Sequence, residues 1–170
     1  MGKKTKSFVR EWVTTLLIAA SIMMVVRLFL FAPYEVHGES MYPTFEGEEL
    51  LIVNKWIYDV STPDYGDIVV FHTAQQRDFI KRVIGLPGDQ IAVREGQLFR
   101  NGKPVQEPYI NEENQQNLHE VTVPKDHVFV MGDNRNYSRD SREIGPVHMK
   151  EVVGRADIQL KPFQNFRLLF

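Results

Sequence analysis

The stretch "FIKRVIGLPGD" (79–89) decides the fold. Residues 79–85 are rich in β-branched and aromatic types, and "LPGD" (86–89) is a turn signal, so the stretch reads as a strand delivered into a turn. Period-two alternation puts Phe79, Lys81 and Val83 on one face and Ile80, Arg82 and Ile84 on the other. Lys81 therefore shares a face with two large apolar side chains. A charge in that position is either a gatekeeper on a strand edge or an amine held out of water. The strand alone leaves both readings open.

The same grammar extends in both directions. "ELLIVN" (49–54), "DIVVFH" (67–72), residues 89–94, "HVFVMG" (127–132) and "RADIQL" (155–160) are short apolar runs of strand type. Between them fall the turn signals "PDYGD" (63–67), "REGQ" (94–97) and "RNGK" (100–103), the last a two-residue hairpin signal at Asn101-Gly102. One short helix is expected over "GPVHMKEV" (145–152), with Pro146 near its first turn. The polar, aperiodic "PYINEENQQNLHE" (108–120) reads as a surface loop. No repeat or low-complexity tract interrupts the chain. The fold class is mainly β, with one antiparallel β domain over residues 33–170.

Upstream the pattern changes. "WVTTLLIAASIMMVVRLFLFA" (12–32) holds 21 residues and one charge, Arg27. As a helix it would span about 31 Å at ~1.5 Å per residue, close to the ~30 Å hydrocarbon thickness. Arg27 lies near its end, where its stem can reach the headgroups. Lys3, Lys4, Lys6 and Arg10 precede the segment, which predicts a cytoplasmic N-terminus (1–11), one transmembrane helix (12–32) and an extracytoplasmic domain (33–170). A cleavable leader would have a shorter apolar run ending in a small-x-small site; here the run continues through "RLFLFAP", and a retained anchor is the expectation.

The sequence of 170 residues contains no cysteine, which excludes disulfides, thiolate zinc sites and thiol nucleophiles. Residues 1–31 carry five basic residues and one acidic, a net +4; the remainder carries 15 basic and 21 acidic, a net −6. A net-negative domain argues against nucleic acid as a partner, since that binding is driven by cationic neutralisation of phosphate.

Ser40 is the candidate nucleophile, in "EVHGESMYPTFEGEELLIVNK" (35–55), where it could equally be a turn serine between Gly38 and Pro43. A serine needs a group to take its proton. His37, His72, His119, His127 and His148 show no triad context, and "GESMY" lacks the last glycine of a G-x-S-x-G elbow. Lys81 is the other base on offer, if burial keeps it neutral. The remaining dense cluster, "MGDNRNYSRDSREIGPV" (131–147), is either an Asx-rich connector or part of a site.

Taken in order, "VVRLFLFAPY", "GESMYPT", "YGDIVVF", "FIKRVIGLPGD" and "MGDNRNYSRDSREIGPV" resemble the boxes of the bacterial type I signal peptidases, over nearly the whole chain, in the short single-anchor form common in Gram-positive bacteria. The resemblance implies a signal-peptidase or repressor-peptidase-like β fold. It also implies a serine endopeptidase with a Ser-Lys dyad: Ser40 as acyl nucleophile and Lys81 as general base. Ser138 would hydrogen-bond the lysine, Asp140 and Arg142 would form an ion pair, and Asp133 and Arg135 would scaffold the loop. Tyr34, Val36, Met41, Phe79 and Ile80 match substrate-pocket positions. Gram-negative members carry a serine where this chain has Gly38, so the oxyanion hole is left to main-chain N–H groups, notably that of Ser40. The implied substrates are exported precursors cut after small-x-small, Ala-x-Ala-like sites; the implied partners are those precursors and membrane lipid, with no metal or cofactor and a monomer expected. A self-cleaving repressor-type Ser-Lys peptidase and a non-catalytic membrane adaptor are the competing readings.

Overall fold

The structure, a computed structural model, describes residues 2–169; the side chains of residues 2–7, 9, 28 and 29 fall outside that description, and with them the basic side chains of Lys3, Lys4 and Lys6. Helix α1 (Gly2–Val25) continues as a π-helical stretch over Val26–Leu30, and the chain passes directly into strand β1 (Phe31–Glu35). The helical segment therefore stops two residues short of the expected Ala32. Phe31 and Ala32 instead pair with Asn54 and Val53, which gives their backbone groups ladder partners. The described side chains from Arg10 to Arg27 are all exposed, so α1 buries no face. Among the described residues no helix is long and apolar enough to cross a membrane. The regular α-helix ends at Val25, and Trp12 to Val25 covers only about 21 Å at ~1.5 Å per residue.

The body is antiparallel β throughout. Strands β2 (Leu50–Asn54), β3 (Ile68–His72), β4 (Asp78–Gly85), β5 (Gln90–Arg94), β6 (Gln97–Arg100), β7 (Lys103–Pro104), β8 (Leu118–Thr122), β9 (His127–Met131), β10 (Val147–His148), β11 (Val152–Lys161) and β12 (Arg167–Leu168) form two sheets. The larger, eight-stranded sheet runs β1-β2-β11-β3-β4-β9-β10, with β12 added on β11; the smaller runs β7-β6-β5-β8. Two single-turn helices, α2 (Ile57–Val60) and α3 (Ser141–Ile144), join strands. All six expected strands are present. The hairpin at Asn101-Gly102 links β6 to β7, and φ is +53° and +73° at its two central residues, as a type I′ turn requires.

Two sequence expectations fail, each for a packing reason. Residues 145–152 are not a helix: Val147 and His148 pair with Val128 and His127, Met149–Glu151 make one 3-10 turn, and β11 begins at Val152. Val147 packs with Val128 and Val130 in the core, and that burial outweighs a helix start at Pro146. The loop over 108–120 gives way to β8 at Leu118, where the half-buried Leu118 and Val121 pack on the small sheet's core.

Both faces of the large sheet are covered at its centre, which is why β3 reads as an unbroken apolar run. Ile68 and Val70 join Met41, Phe45, Leu51 and Val53 on one side, while Val69 and Phe71 join Val83, Val128 and Val130 on the other. A third cluster, including Ile84, Ile91, Val93, Leu98 and Phe129, ties the small sheet to the β4–β9 end of the large one. The middle of β4 is thus held from three directions.

Candidate active site

Ser40 sits in the connection between β1 and β2. Tyr42 N–H donates to the Glu39 carbonyl at 3.0 Å and Phe45 N–H to the Met41 carbonyl at 3.0 Å, folding the segment into consecutive turns. Val36 before it and Met41 and Phe45 after it are buried in the core below, so the turn is pinned on both sides of a half-buried Ser40. Gly38 has φ +82°, with nothing within 4 Å of the place a Cβ would take; backbone conformation rather than space calls for glycine there.

Lys81 projects from the middle of β4 and is 3% exposed. Its Nζ lies 2.8 Å from Ser40 Oγ, donates to the Ile80 carbonyl at 2.8 Å, and stands 5.2 Å from the Phe79 ring centroid. Lys81 is buried and its amine is turned onto Ser40 rather than to solvent, so the gatekeeper reading fails. Among the described residues no carboxylate forms an ion pair with this amine. Burial pushes its pKa down from 10.5 to about 8, opposed weakly by the charges of Asp140 and Asp133. A lysine so placed is substantially neutral a little above pH 8, and a neutral amine can accept the hydroxyl proton of Ser40.

The loop after β9 closes the site from one side. Asp140 and Arg142 form a buried bidentate pair at 2.8 Å, as expected, and Asp140 also accepts from Gly132 N–H and caps α3. A side chain at Gly132 would collide with Ser138 Oγ and the Ser40 carbonyl, so this loop can approach Ser40 only through glycine. Asp133 and Arg135 do scaffold the loop, but through partners that the sequence did not suggest. Asp133 takes two bonds from Arg82, at 2.8 and 2.6 Å, and one from Thr44; Arg135 makes a bidentate pair with Glu107 and donates to the Gly132 carbonyl. Arg82 was legible in principle, as a second charge in an apolar strand on the face opposite Lys81. Glu107 was one acid in a polar loop, with no signal to single it out. Ser138 departs from expectation: its Oγ is buried without a hydrogen-bond partner among the described residues, so the bond to Lys81 implied by resemblance is not made.

A cavity of about 660 Å³ opens beside the pair. Tyr34, Val36, Met41, Phe79 and Ile80, the five pocket residues expected from the sequence, line it together with Ser40 and Lys81. Its walls are two strands with free edges. β1 ends the large sheet, and the ladder of β4 with β9 begins only at Arg82, so residues 78–81 have a neighbour on one side alone. An extended peptide can pair with such an edge while its alternate side chains enter the cavity.

A serine hydroxyl 2.8 Å from a buried lysine, at the end of a groove with strand edges for walls, is an arrangement that suits a serine hydrolase acting on extended peptides. The family model "Signal peptidase, peptidase S26" matches residues 9–161. The chain is 41% identical to signal peptidase I of Bacillus caldolyticus over 184 aligned positions that cover 100% of both chains. It is 40% identical to signal peptidase I P of Bacillus subtilis subsp. natto, covering 97% of this chain and 96% of that one. Among solved structures, a signal peptidase I from Enterococcus faecalis V583 superposes with a TM-score of 0.51 at 32% identity, covering 56% of this chain and 97% of the other. The chain belongs to the signal peptidase, peptidase S26, family, and it is a serine-type peptidase of the signal peptidase I kind. The repressor-type reading is thereby set aside.

Proposed function

We propose that the chain removes signal peptides from exported precursor proteins with a Ser40–Lys81 dyad, working from a membrane anchor. The observation that carries the reading is the 2.8 Å approach of Lys81 Nζ to Ser40 Oγ, with the amine buried and its pKa near 8. Neutral Lys81 takes the proton of Ser40 as Oγ bonds to the scissile carbonyl carbon. The tetrahedral oxyanion is met by main-chain donors, with the Ser40 N–H foremost. Collapse breaks the C–N bond, and the lysine ammonium gives its proton to the departing amine, the new N-terminus of the mature protein. Water then attacks the ester with Lys81 again as base, and the released Ser40 oxygen recovers a proton. Every proton moves through Lys81.

Small residues are selected before the cut. Val36, Met41 and Ile80 line the cavity with Ser40 and Lys81 and give it apolar walls, which support that reading. The peptide docks in extended form along 34–38 by strand addition.

The membrane reading rests on α1 and its continuation. Leu16, Leu17, Ile18, Ile22, Met23 and Met24 are all more than half exposed on a helix whose described side chains are all exposed. The hydroxyls of Thr14, Thr15 and Ser21 donate to carbonyls four residues earlier, so few polar groups of the segment need water. With the π-helical stretch included, residues 12–30 reach roughly 28 Å, near the ~30 Å that a span requires. Residues 1–11 then lie in the cytoplasm, and residues 33–170 act outside as a monomer against the membrane surface.

The test is precursor cleavage by wild type, Ser40→Ala and Lys81→Ala in membranes. Both variants are expected to bind precursor and fail to process it. Processing at the wild-type rate by either one refutes the dyad, and release of the chain by carbonate washing refutes the anchor.

A further inference from the structure

Asn134 is the residue on which this inference turns. Its backbone N–H donates to the Ser40 carbonyl at 3.1 Å, and its side-chain Nδ2 donates to the Glu39 carbonyl at 3.0 Å. One residue from the loop after β9 thus holds two successive carbonyls, one on each side of the nucleophile's Cα. The Glu39 carbonyl receives a second bond, from Tyr42 N–H at 3.0 Å.

The Glu39 carbonyl and the Ser40 N–H belong to one planar trans peptide unit, so they point in opposite directions and cannot turn independently. Pulling the carbonyl toward Asn134 and Tyr42 therefore aims the Ser40 N–H the other way. No acceptor among the described residues takes that N–H. With glycine at 38 there is no side-chain hydroxyl to share the oxyanion, so the orientation of this peptide unit matters more here than where a hydroxyl assists.

We infer that Asn134 is a positioning residue for transition-state stabilisation, its side-chain amide fixing the Glu39–Ser40 peptide so that the Ser40 N–H meets the developing oxyanion. The inference rests on the reading of Ser40 as nucleophile. Asn134 acts through the backbone and touches neither Lys81 nor the cavity, so its effect falls on the oxyanion and not on the proton transfer. A peptide unit released to rock about its flanking bonds loses donor alignment, which at an oxyanion site is worth about 10- to 100-fold in rate.

The experiment compares wild type, Asn134→Asp, Asn134→Ala and Ser40→Ala in cleavage of a precursor, together with inhibition by a peptide aldehyde ending in alanine. Asn134→Asp keeps the shape and removes the donor. The expected result is a 10- to 100-fold fall in kcat for both Asn134 variants with KM unchanged, and with the alkaline midpoint of the pH profile unchanged in the uncharged Asn134→Ala. Aldehyde affinity should fall in parallel, because the hemiacetal oxygen occupies the same place as the oxyanion. Asn134→Gln, which retains the amide, should recover part of the loss. Wild-type kcat in folded Asn134→Asp, or a loss carried by KM alone, overturns the positioning role. If Ser40→Ala itself still cleaves, the reading of the nucleophile fails instead, and the two failures are told apart.

Discussion

Lys81 Nζ lies 2.8 Å from Ser40 Oγ although 41 positions separate the two residues in the chain. One arrives on β4, just before its ladder with β9 begins, and the other on a turn whose flanking residues are sunk in the core. Neither is placed by local sequence. The contact exists because β4 and the β1–β2 connection are packed against the same apolar cluster, and its chemistry exists because that packing strips water from an amine.

Burial that lowers the pKa of Lys81 also destabilises the fold at neutral pH. The folded pKa is depressed from 10.5 to about 8, so between these values the unfolded chain binds more protons than the native one. Stability therefore rises with pH across that window and is fully recovered only above 10.5. At pH 7 Lys81→Met should gain up to ~3 kcal/mol, less the bond lost at the Ile80 carbonyl, and melt several degrees higher. The difference should shrink as melts are recorded toward pH 10.5; a gap that widens with pH contradicts the burial argument.

Asp140 holds Arg142 and raises the pKa of Lys81 through its charge. Asp140→Asn should cost about 3–5 kcal/mol, because Arg142 is left buried without its partner. It should also move the midpoint of the pH–rate profile downward, since a negative charge favouring the ammonium is gone. Thermal melts and pH profiles of the folded fraction check both; an upward midpoint shift is the opposite of what the charge arrangement requires.

Ser138 Oγ is buried and unpartnered. Removing an unsatisfied hydroxyl relieves a penalty of order 1–3 kcal/mol, so Ser138→Ala should keep or raise the melting temperature. A drop of several degrees would show that the hydroxyl is bonded in the folded enzyme after all.

Ile80 lines the cavity beside Ser40 and Lys81. Ile80→Ala should raise kcat/KM for precursors with valine before the cut, relative to alanine, by about tenfold or more, as each methylene of pocket space is worth ~1–3 kcal/mol. Unchanged discrimination between the two precursors would remove Ile80 from the specificity wall.

The strands were legible because short apolar runs alternate with glycine, proline and asparagine, whereas the five residues that line the cavity were named by family resemblance and not by local pattern. What the sequence hid depends on partners far along the chain. Val147 leaves an apparent helix to pair with Val128; Arg82 and Glu107 find Asp133 and Arg135 through pairings between 28 and 51 positions apart. Ser138 and Asn134 both lie in a loop that looked uniformly polar, and nothing local tells the hydroxyl that ends unpartnered from the amide that grips the nucleophile's turn. The helical segment ends at Leu30, two residues before the expected Ala32, because β1 takes Phe31 and Ala32 into its ladder with β2.

The decisive measurement is the rate of precursor processing by wild type and Lys81→Met from pH 6 to 10, with folding of both followed by melting. Wild type should climb tenfold per pH unit and level off with a midpoint near 8, while folded Lys81→Met stays at the background of Ser40→Ala at every pH. Substantial turnover by Lys81→Met, or a wild-type midpoint near the ~6.5 of a histidine, would mean that Lys81 is not the base.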